Sequence, residues 1–124
     1  MTDLTDVVVD SLVVGSKNVP YPTAATLTDT GNITLKCGVV TLNKAGAIAA
    51  TLALPVATTD DFKLLTIASL TAQTHTVALA SGTFGNSGAG YTTVTFGGAI
   101  GDSLRLVAYQ AKWYILCLNN ASIA

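Results

Sequence analysis

Few side chains of this sequence could do chemistry, and none of them has the spacing of a catalytic or metal-binding set. The only adjacent acids, Asp60 and Asp61, would point to opposite faces on a strand, and in a turn such a pair faces solvent. The single imidazole, His75, lies in an alternating, threonine-rich segment that predicts a packed or hydrogen-bonded strand residue. The chain has no glutamate, so paired-carboxylate chemistry would fall to aspartate alone. We therefore predict no catalytic residue, no metal site and no cofactor.

A glycine-rich segment and two cysteines are the other candidates for a binding or reactive site. Residues 81–90 hold four glycines and could cradle an anion, but no helix is predicted to follow them, so we expect a turn-rich or mobile loop. Cys37 and Cys117 lack the spacing of metal ligands. In a protein made inside the cell, they are expected as two buried free thiols.

Charge is scarce in this chain, which limits the partners it can bind. Charged residues make up 10% of the 124 positions and apolar residues 50%, and the formal net charge is −1. This composition argues against binding through phosphate neutralisation, so no nucleic-acid partner is expected. The few charges must cover on the order of 6,000 Å² of surface, which is sparse for a protein that stays soluble alone. We expect a homo-oligomer whose subunits cover much of one another's surface.

Hydropathy predicts neither a membrane span nor a secretory leader. The longest weakly polar stretch, residues 45–57, is shorter than the ~20 residues that cross a bilayer, and it contains Pro55. The first ten residues carry three acids and no basic residue, unlike a secretory signal. We therefore expect a protein made in the cytoplasm with no membrane partner.

Short alternating segments predict an all-β fold, since nineteen threonines and the absence of glutamate favour strands over helices. Residues 25–124 are predicted to form a short-stranded antiparallel sandwich or a barrel-like body, and both alternatives stay open. Residues 62–70 are expected to form a central strand buried on both faces. A recurring unit of an apolar residue, threonine and leucine, at 33–35, 40–42 and 50–52, indicates stacked short strands.

Residues 1–24 differ from the rest and are predicted to form an extended N-terminal arm. Three aspartates punctuate a run of valine and leucine, after which Gly15, Pro20 and Pro22 break regular structure. Such an arm could stay on its own domain or reach a neighbour. An N-terminal edge strand followed by a loop fits these residues equally well.

The strongest local signal is a β-hairpin formed by residues 103–109 and 112–118. With a two-residue connection, the core face would pair Ala108 with Trp113, Leu106 with Ile115 and Leu104 with Cys117. The other face would pair Val107 with Tyr114 and Arg105 with Leu116. Both faces are apolar, so one is expected to pack on the core and the other on something outside the domain.

Two residue types in this hairpin need partners or special geometry. Arg105 on the outer face needs an acceptor, and Asp102 or an aspartate of a neighbouring subunit would serve. The connecting Gln110 and Ala111 suit a type I′ turn poorly, because that turn needs positive φ at both central positions. A loop longer than two residues is therefore expected.

Four segments within residues 45–124 share a pattern of small and apolar residues. They are ATLALPVA (50–57), TIASLTAQTHTVAL (66–79), TFGGAIGDSLRLVAY (95–109) and KWYILCLNNASIA (112–124). Together they resemble a recurrent module of tailed-bacteriophage virion proteins, in which a strand-rich body ends in a Gly-Asp-Ser strand, a turn and a Lys-Trp-Tyr strand. Ala111 departs from that module, which usually has glycine in the turn.

Members of this family include capsid decoration proteins, head fibres and parts of tail fibres, typically trimeric, and a short chain suits a decoration (cementing) protein best. The resemblance implies a homotrimer on the capsid surface of the virion that binds the major capsid protein and stabilises the head. The arm would supply capsid contacts through Leu4, Val7, Val9, Leu12, Val14, Pro20, Tyr21 and Pro22. The outer hairpin face would supply subunit contacts through Arg105, Val107, Tyr109, Tyr114 and Leu116.

The alternative function is a tail or head fibre module that adheres to a host surface glycan. Aromatic rings that stack on sugars would carry it, near Phe84, Tyr91 or Trp113. For Trp113, Tyr109 and Tyr114, packing in the core or at an interface is the simpler expectation. A small hydrolase is disfavoured, because acids and imidazoles are too few.

Overall fold

The computed structural model describes residues 11–14, 17–20, 23–85 and 90–124, and for the first two of these segments it describes the backbone alone. This part of the chain confirms the all-β prediction, because it contains strands and turns and no helix. It accordingly has no helix long and apolar enough to span a membrane. Its strands are β1 Ser11–Val14, β2 Lys17–Pro20, β3 Ala24–Leu27, β4 Gly31–Ile33, β5 Gly38–Leu42, β6 Ala49–Leu52, β7 Leu64–Ser69, β8 Thr76–Leu79, β9 Thr93–Phe96, β10 Ser103–Tyr109, β11 Lys112–Asn119 and β12 Ala121–Ile123.

Ten of these strands form two five-stranded sheets that pack on each other as a sandwich. Sheet I has the order β11-β10-β7-β5-β3, and sheet II has the order β12-β9-β8-β6-β4. β1 and β2 form a separate antiparallel pair. Neither five-stranded sheet closes on itself and both contribute to one core, which decides between the two predicted alternatives in favour of the sandwich.

Both sheets are mixed, whereas the sequence predicted antiparallel pairing. From β3 to β8 the chain changes sheet at every step, so β3, β5 and β7 run parallel, as do β4, β6 and β8. Strands β9 to β12 pair antiparallel with their neighbours. Turn residues mark where a strand ends but not which sheet receives the next strand, and for this reason the two-sheet coil from β3 to β8 was not predicted.

The three predicted copies of the recurring unit do not stack on one another: 40–42 lies on β5 of sheet I, 50–52 lies on β6 of sheet II, and Ile33 pairs with Leu52 out of register. A stack of this kind does occur in sheet I, with a segment that the sequence pattern did not include. Residues 25–27 (Ala-Thr-Leu) pair in parallel register with residues 40–42 (Val-Thr-Leu). The hydroxyl groups of Thr26 and Thr41 lie 2.9 Å apart, and the leucine that follows each of them packs on the core. The repeated unit thus provides one polar contact outside and one apolar contact inside.

One hydrophobic core lies between the sheets. Alternation along each strand turns every second residue inward, and the buried residues of both sheets belong to a single cluster. Its largest fully buried side chains are Trp113, Phe84 and Phe96. Burying an aromatic or large aliphatic side chain contributes about 1.5–3 kcal/mol, so this cluster holds the two sheets together.

The apolar run 62–70 supplies the central strand of sheet I, as predicted, but it is not buried on both faces. Along β7, buried side chains alternate with exposed or half-buried ones. Phe62, Leu64 and Leu70 are all exposed. An apolar outer face has the same sequence pattern as a doubly buried strand, so the sequence alone does not separate the two.

The C-terminal hairpin has a tighter turn than predicted. Gln110 and Ala111 alone connect β10 to β11, with φ of 47° and 64°, so both central positions have the positive φ of a type I′ turn. The expected longer loop is therefore wrong. Asp61 stabilises the turn by accepting hydrogen bonds from the Gln110 amide (2.8 Å) and from Gln110 Nε2 (2.6 Å).

A β-bulge shifts the register in the second half of this hairpin. The predicted pairs Ala108–Trp113, Val107–Tyr114 and Leu106–Ile115 are confirmed. Beyond them Arg105 pairs with Cys117, and Leu104 pairs with Leu118, because Leu116 is the extra residue of the bulge. The predicted pairs of Arg105 with Leu116 and of Leu104 with Cys117 are therefore wrong.

Much of the predicted arm lies outside the described residues. This applies to Leu4, Val7, Val9, Tyr21 and Pro22. Leu12 and Val14 belong to β1, and Pro20 belongs to β2. Residues 86–89 of the glycine-rich segment also lie outside the described part.

Candidate interaction face

The outer face of sheet I carries exposed apolar side chains at the end nearest the β10–β11 turn. Cross-strand register places Leu64, Val107 and Tyr114 side by side on β7, β10 and β11. Phe62 and Tyr109 lie next to this row, and their exposed fractions are 72% and 44%. We call these five residues the aromatic patch.

The three rings of the aromatic patch form a continuous strip. The ring centroids of Phe62 and Tyr109 are 5.5 Å apart, and those of Tyr109 and Tyr114 are 6.4 Å apart. Both distances are typical of favourable aromatic pairs, so the rings support one another. Phe62 and Tyr109 are exposed, and Tyr114 is half-buried. A contiguous exposed apolar surface on a folded domain marks a place where another molecule binds.

A tight turn before β7 brings Phe62 to this face. Phe62 has a φ of 68°, which is costly for a bulky residue, and its amide donates to the Ala108 carbonyl (2.6 Å). Asp60 holds the turn, because its Oδ2 accepts from the Val56 amide (2.7 Å) and its Oδ1 from Lys63 Nζ (2.7 Å). Asp60 is buried, so the prediction that it faces solvent is wrong.

Asp60 remains charged in this buried position because donors surround it. The hydrogen bond from Lys63 and then that from the Val56 amide lower the pKa of Asp60 to about 2, although desolvation opposes them. The charges of Lys63 and of Lys36, whose Nζ lies 3.5 Å from Oδ2, lower the pKa further. Both oxygens of the Asp60 carboxylate therefore accept hydrogen bonds that stabilise the turn.

Asp61 joins the same turn to the β10–β11 turn. Its Oδ1 accepts hydrogen bonds from the amides of Thr58 (3.1 Å) and Gln110 (2.8 Å). Phe62 follows Asp61 and Tyr109 precedes Gln110, so this carboxylate helps to place the two rings beside each other. Asp61 is only partly exposed and has a structural role, in contrast to its predicted position in solvent.

A glycine allows the Tyr114 ring to lie close to the chain. A Cβ atom on Gly85 would come within 2.4 Å of the Tyr114 ring, so any side chain there would displace the ring. The Gly85 amide donates to the Trp113 carbonyl (2.8 Å), which fixes the glycine beside β11. This end of the glycine-rich segment therefore supports the edge of the aromatic patch.

The structure places the five predicted interface residues on the outer side of the hairpin, but only Val107, Tyr109 and Tyr114 belong to the aromatic patch. Leu116 is 54% exposed in the bulge, and Arg105 is exposed on β10. Among the described residues Arg105 has no ion-pair partner. Whether this face meets another subunit stays a prediction.

Asp102 is not the acceptor for Arg105 that the sequence suggested. Its Oδ2 accepts from the amides of Gly98 and Ala99 (both 2.9 Å), and its Oδ1 accepts from Asn120 Nδ2 (2.8 Å). These hydrogen bonds, that of Ala99 foremost, lower the pKa of Asp102. Asp102 therefore fixes the turn before β10.

Phe62 and Leu64 were not predicted as surface residues. Both belong to an apolar run that predicted a fully buried strand. The signal that could have revealed them is the acidic pair directly before Phe62, because a turn at that point exposes the first residues of the strand that follows.

His75 is a packed, hydrogen-bonded residue, as predicted, directly before β8. It is fully buried; its Nδ1 accepts from the Ile48 amide (2.9 Å), and its Nε2 lies 2.9 Å from Thr71 Oγ1. Because Nδ1 accepts, the neutral ring carries its proton on Nε2 and donates it to Thr71. Burial lowers the pKa of His75, so the ring stays neutral into mild acid.

The rings predicted for sugar stacking are mostly inaccessible. Trp113 and Phe84 are buried, and Trp113 Nε1 donates to the Ala53 carbonyl (2.8 Å). Tyr91 is 36% exposed. Trp113 and Phe84 are therefore not accessible to a stacking sugar, and the core packing expected for Trp113 is confirmed.

Cys37 and Cys117 are unpaired, as predicted, but their predicted burial is wrong because both are exposed. Cys117 is outward because the bulge places it opposite Arg105. The described residues contain no group of three or more His, Cys, Asp or Glu side chains that could hold a metal ion.

The outer face of sheet II has a different chemistry. Its outward positions form two cross-strand rows: Asn32, Thr51, Ala78 and Thr93 in one, and Ala49, Thr76, Thr95 and Ser122 in the other. None of these residues is charged or aromatic. Hydroxyl and methyl groups therefore cover this face.

Comparison with known proteins assigns no family to the chain. No family model matches it, and neither a curated protein nor a solved structure has significant similarity to it. The resemblance to phage virion proteins therefore stays a prediction.

Proposed function

We propose that this chain is a structural protein that associates as a homotrimer, binds the major capsid protein on the outside of a tailed-phage capsid and stabilises the head. The observation that carries the proposal is the aromatic patch. It places three rings and two aliphatic side chains on the outside of a sheet in a chain with few charges. The capsid assignment depends in addition on the resemblance of residues 45–124 to phage virion proteins.

The aromatic patch has the composition of a subunit interface. Buried aromatic side chains dominate the binding energy of protein interfaces, and removal of apolar area from water contributes about 25 cal/mol per Å². None of the five patch residues is charged, so a partner surface can cover them without desolvating an ion. A rim of polar groups is available in Gln110 and Lys112, which are exposed beside the patch.

Attachment to a capsid would gain from such a trimer. Three copies that each make a modest contact with a shell subunit bind with much higher avidity than one copy does. Binding to the assembled shell and not to free subunits stabilises the shell by mass action. The predicted arm, of which Leu12, Val14 and Pro20 belong to described strands, is the proposed source of capsid contacts.

The first test addresses self-association through the aromatic patch. Light scattering on the purified chain at micromolar concentration is expected to give three times the monomer mass. The double variant Phe62→Ser, Tyr109→Ser is expected to form markedly less trimer than the unaltered chain, with an unchanged circular dichroism spectrum. The matched control Thr76→Ser, Thr95→Ser alters the outer face of sheet II and is expected to remain trimeric. A monomeric unaltered chain would contradict the proposal.

The second test addresses the capsid. Capsids of the phage that encodes the chain, prepared without this protein, are mixed with purified protein and separated on a gradient. We expect co-sedimentation in multiples of three copies and a higher temperature of capsid disruption. A chain that is trimeric but does not bind these capsids would leave the self-association standing and overturn the assignment as a decoration protein.

A further inference from the structure

The sandwich is open at the end where β3 and β4 form the edges of the two sheets. The Thr23 carbonyl accepts a hydrogen bond from the Val39 amide, and the Leu27 carbonyl accepts one from the Asn43 amide directly after β5 (both 2.9 Å). The backbone groups of Thr23 and Leu27 therefore face β5. Since alternate residues of a strand direct their backbone groups to opposite sides, the N–H and C=O groups of Ala24 and Thr26 point away from the sheet. No described strand pairs with this edge.

The core is also uncovered at this end. Ala25 pairs with buried Val40 and therefore faces inward, yet Ala25 is exposed. A cleft of about 250 Å³ opens between the edge strands and is lined mostly by apolar and threonine side chains, among them Leu27, Ile33 and Leu35. Free backbone groups beside an apolar cleft suit one kind of occupant, an extended strand that brings its own backbone hydrogen bonds and apolar side chains.

The same chain contains a pair of strands with no sheet to join. β1 and β2 pair with each other and with no described strand of the sandwich. An isolated two-stranded hairpin is marginally stable in water, so it gains by adding to a larger sheet. Pro20 has no N–H and restricts β2 to an outer edge, whereas every residue of β1 can donate.

The short connection between the hairpin and β3 favours a neighbouring molecule. If β1 joined β3 of its own chain, β2 would lie two strands from β3, at ~9.6 Å, because neighbouring strands are ~4.8 Å apart. Residues 21–23 would then have to cross over β1 to reach β3. Addition of β1 to the edge of a second copy needs no such crossing, and head-to-tail exchange of this kind can close into a ring.

We infer that β1 of one copy adds to the free edge of β3 in a second copy of this chain, so that the subunits are joined by exchanged strands. This inference rests on the self-association part of the proposed function and does not involve the capsid. It assigns to the β3–β4 end a role that is separate from that of the aromatic patch.

Disulfide trapping tests the exchange on the full chain with Cys37→Ser and Cys117→Ser. One chain carries Leu12→Cys or Val13→Cys in β1, and a co-expressed, size-tagged chain carries Thr26→Cys in β3. Because a disulfide needs Cα atoms within ~7 Å, a mixed-size disulfide band is expected for one of the two β1 positions. A tagged chain with Ser122→Cys, on the opposite edge of sheet II, is expected to give no mixed band.

A proline variant tests whether the edge of β3 receives the strand. Ala24→Pro removes one outward N–H and leaves the hydrogen bonds to β5 intact, so the mixed disulfide is expected to fall at least ~10-fold. Ala24→Val keeps the N–H and is expected to retain it. Trimeric mass without a mixed-size disulfide at either β1 position would overturn the exchange and leave the proposed function intact. A monomeric mass would overturn both.

Discussion

The two sheets enclose one core but have contrasting outer faces. Sheet I exposes the aromatic patch near the β10–β11 turn, and sheet II exposes threonine, serine, alanine and asparagine. Inward positions of both sheets are filled by the same kind of aliphatic and aromatic residues. Outward positions do not have to fit the core. Their residue types therefore indicate whether solvent or another molecule contacts each face. The contrast therefore supports the proposal that sheet I is the face that contacts another subunit.

The largest predicted effect is a difference in stability between variants at two neighbouring residues of β11, Trp113 and Tyr114, whose side chains face opposite ways. Trp113→Ala removes a fully buried ring and its hydrogen bond to Ala53, so we expect a loss of about 3–5 kcal/mol in the free energy of unfolding. Tyr114→Ser alters only the outer face. When it is measured under conditions in which the protein is monomeric, it should lower the free energy of unfolding by about 1 kcal/mol or less. Urea unfolding measures both. Equal losses would break the comparison, because Tyr114 would then behave as a core residue.

An intermediate effect should appear in sheet II when the pH is lowered. Burial lowers the pKa of His75, so the unfolded chain binds a proton more readily than the folded chain. The contribution of neutral His75 is complete above pH ~6.5 and is lost as the pH falls from that value toward the lowered folded pKa. Amide exchange at Ile48 and in β8 should then quicken before exchange in β10 and β11 does.

A variant and a second titration window serve as controls for His75. His75→Asn keeps an acceptor for the Ile48 amide and cannot titrate, so its stability should be flat in mild acid. Asp60 and Asp102 have lowered pKa values, and their contribution is present above 3.8 and lost as the pH falls below it. If the unaltered chain loses no stability until the pH falls below 3.8, the buried neutral His75 does not contribute to the pH dependence as predicted.

The smallest effect should come from the carboxylate that places Phe62 beside Tyr109. Asp61→Ala removes the hydrogen bonds to the Gln110 amide and side chain, each worth about 1 kcal/mol at most in an exposed position. We expect a small loss of unfolding free energy and a self-association roughly 3- to 10-fold weaker. Asp29→Ala, which removes an exposed ion pair with Lys44, is the control and should leave the mass distribution unchanged.

Local patterns predicted the strands of this protein better than they predicted the connections. The alternation in 103–109 and 112–118 gave three correct cross-strand pairs, and His75 was correctly predicted as packed. The bulge at Leu116 inserts a residue without any change in residue type, so the pattern did not reveal it. The mixed sheets depend on which sheet each strand joins, a choice made by the whole core.

Part of the candidate interaction face was also within reach of the sequence. Val107, Tyr109 and Tyr114 follow from alternation on a hairpin that is apolar on both sides. Phe62 and Leu64 do not, because their position depends on the turn held by Asp60 and on contacts with a hairpin far along the chain. The type I′ turn at Gln110 likewise depends on an acceptor from that distant turn.

The two-sheet coil also has a consequence for the order in which the protein can fold. Its neighbouring strands are distant in sequence, since Ala24 pairs with Val39 and Gly38 with Leu65. Such non-local pairing slows folding, and a growing chain cannot complete the core until Trp113 has emerged from the ribosome. Nascent chains that stop before β11 would expose the apolar side chains of an incomplete core. Translation through β11 must therefore be faster than the aggregation of these incomplete chains.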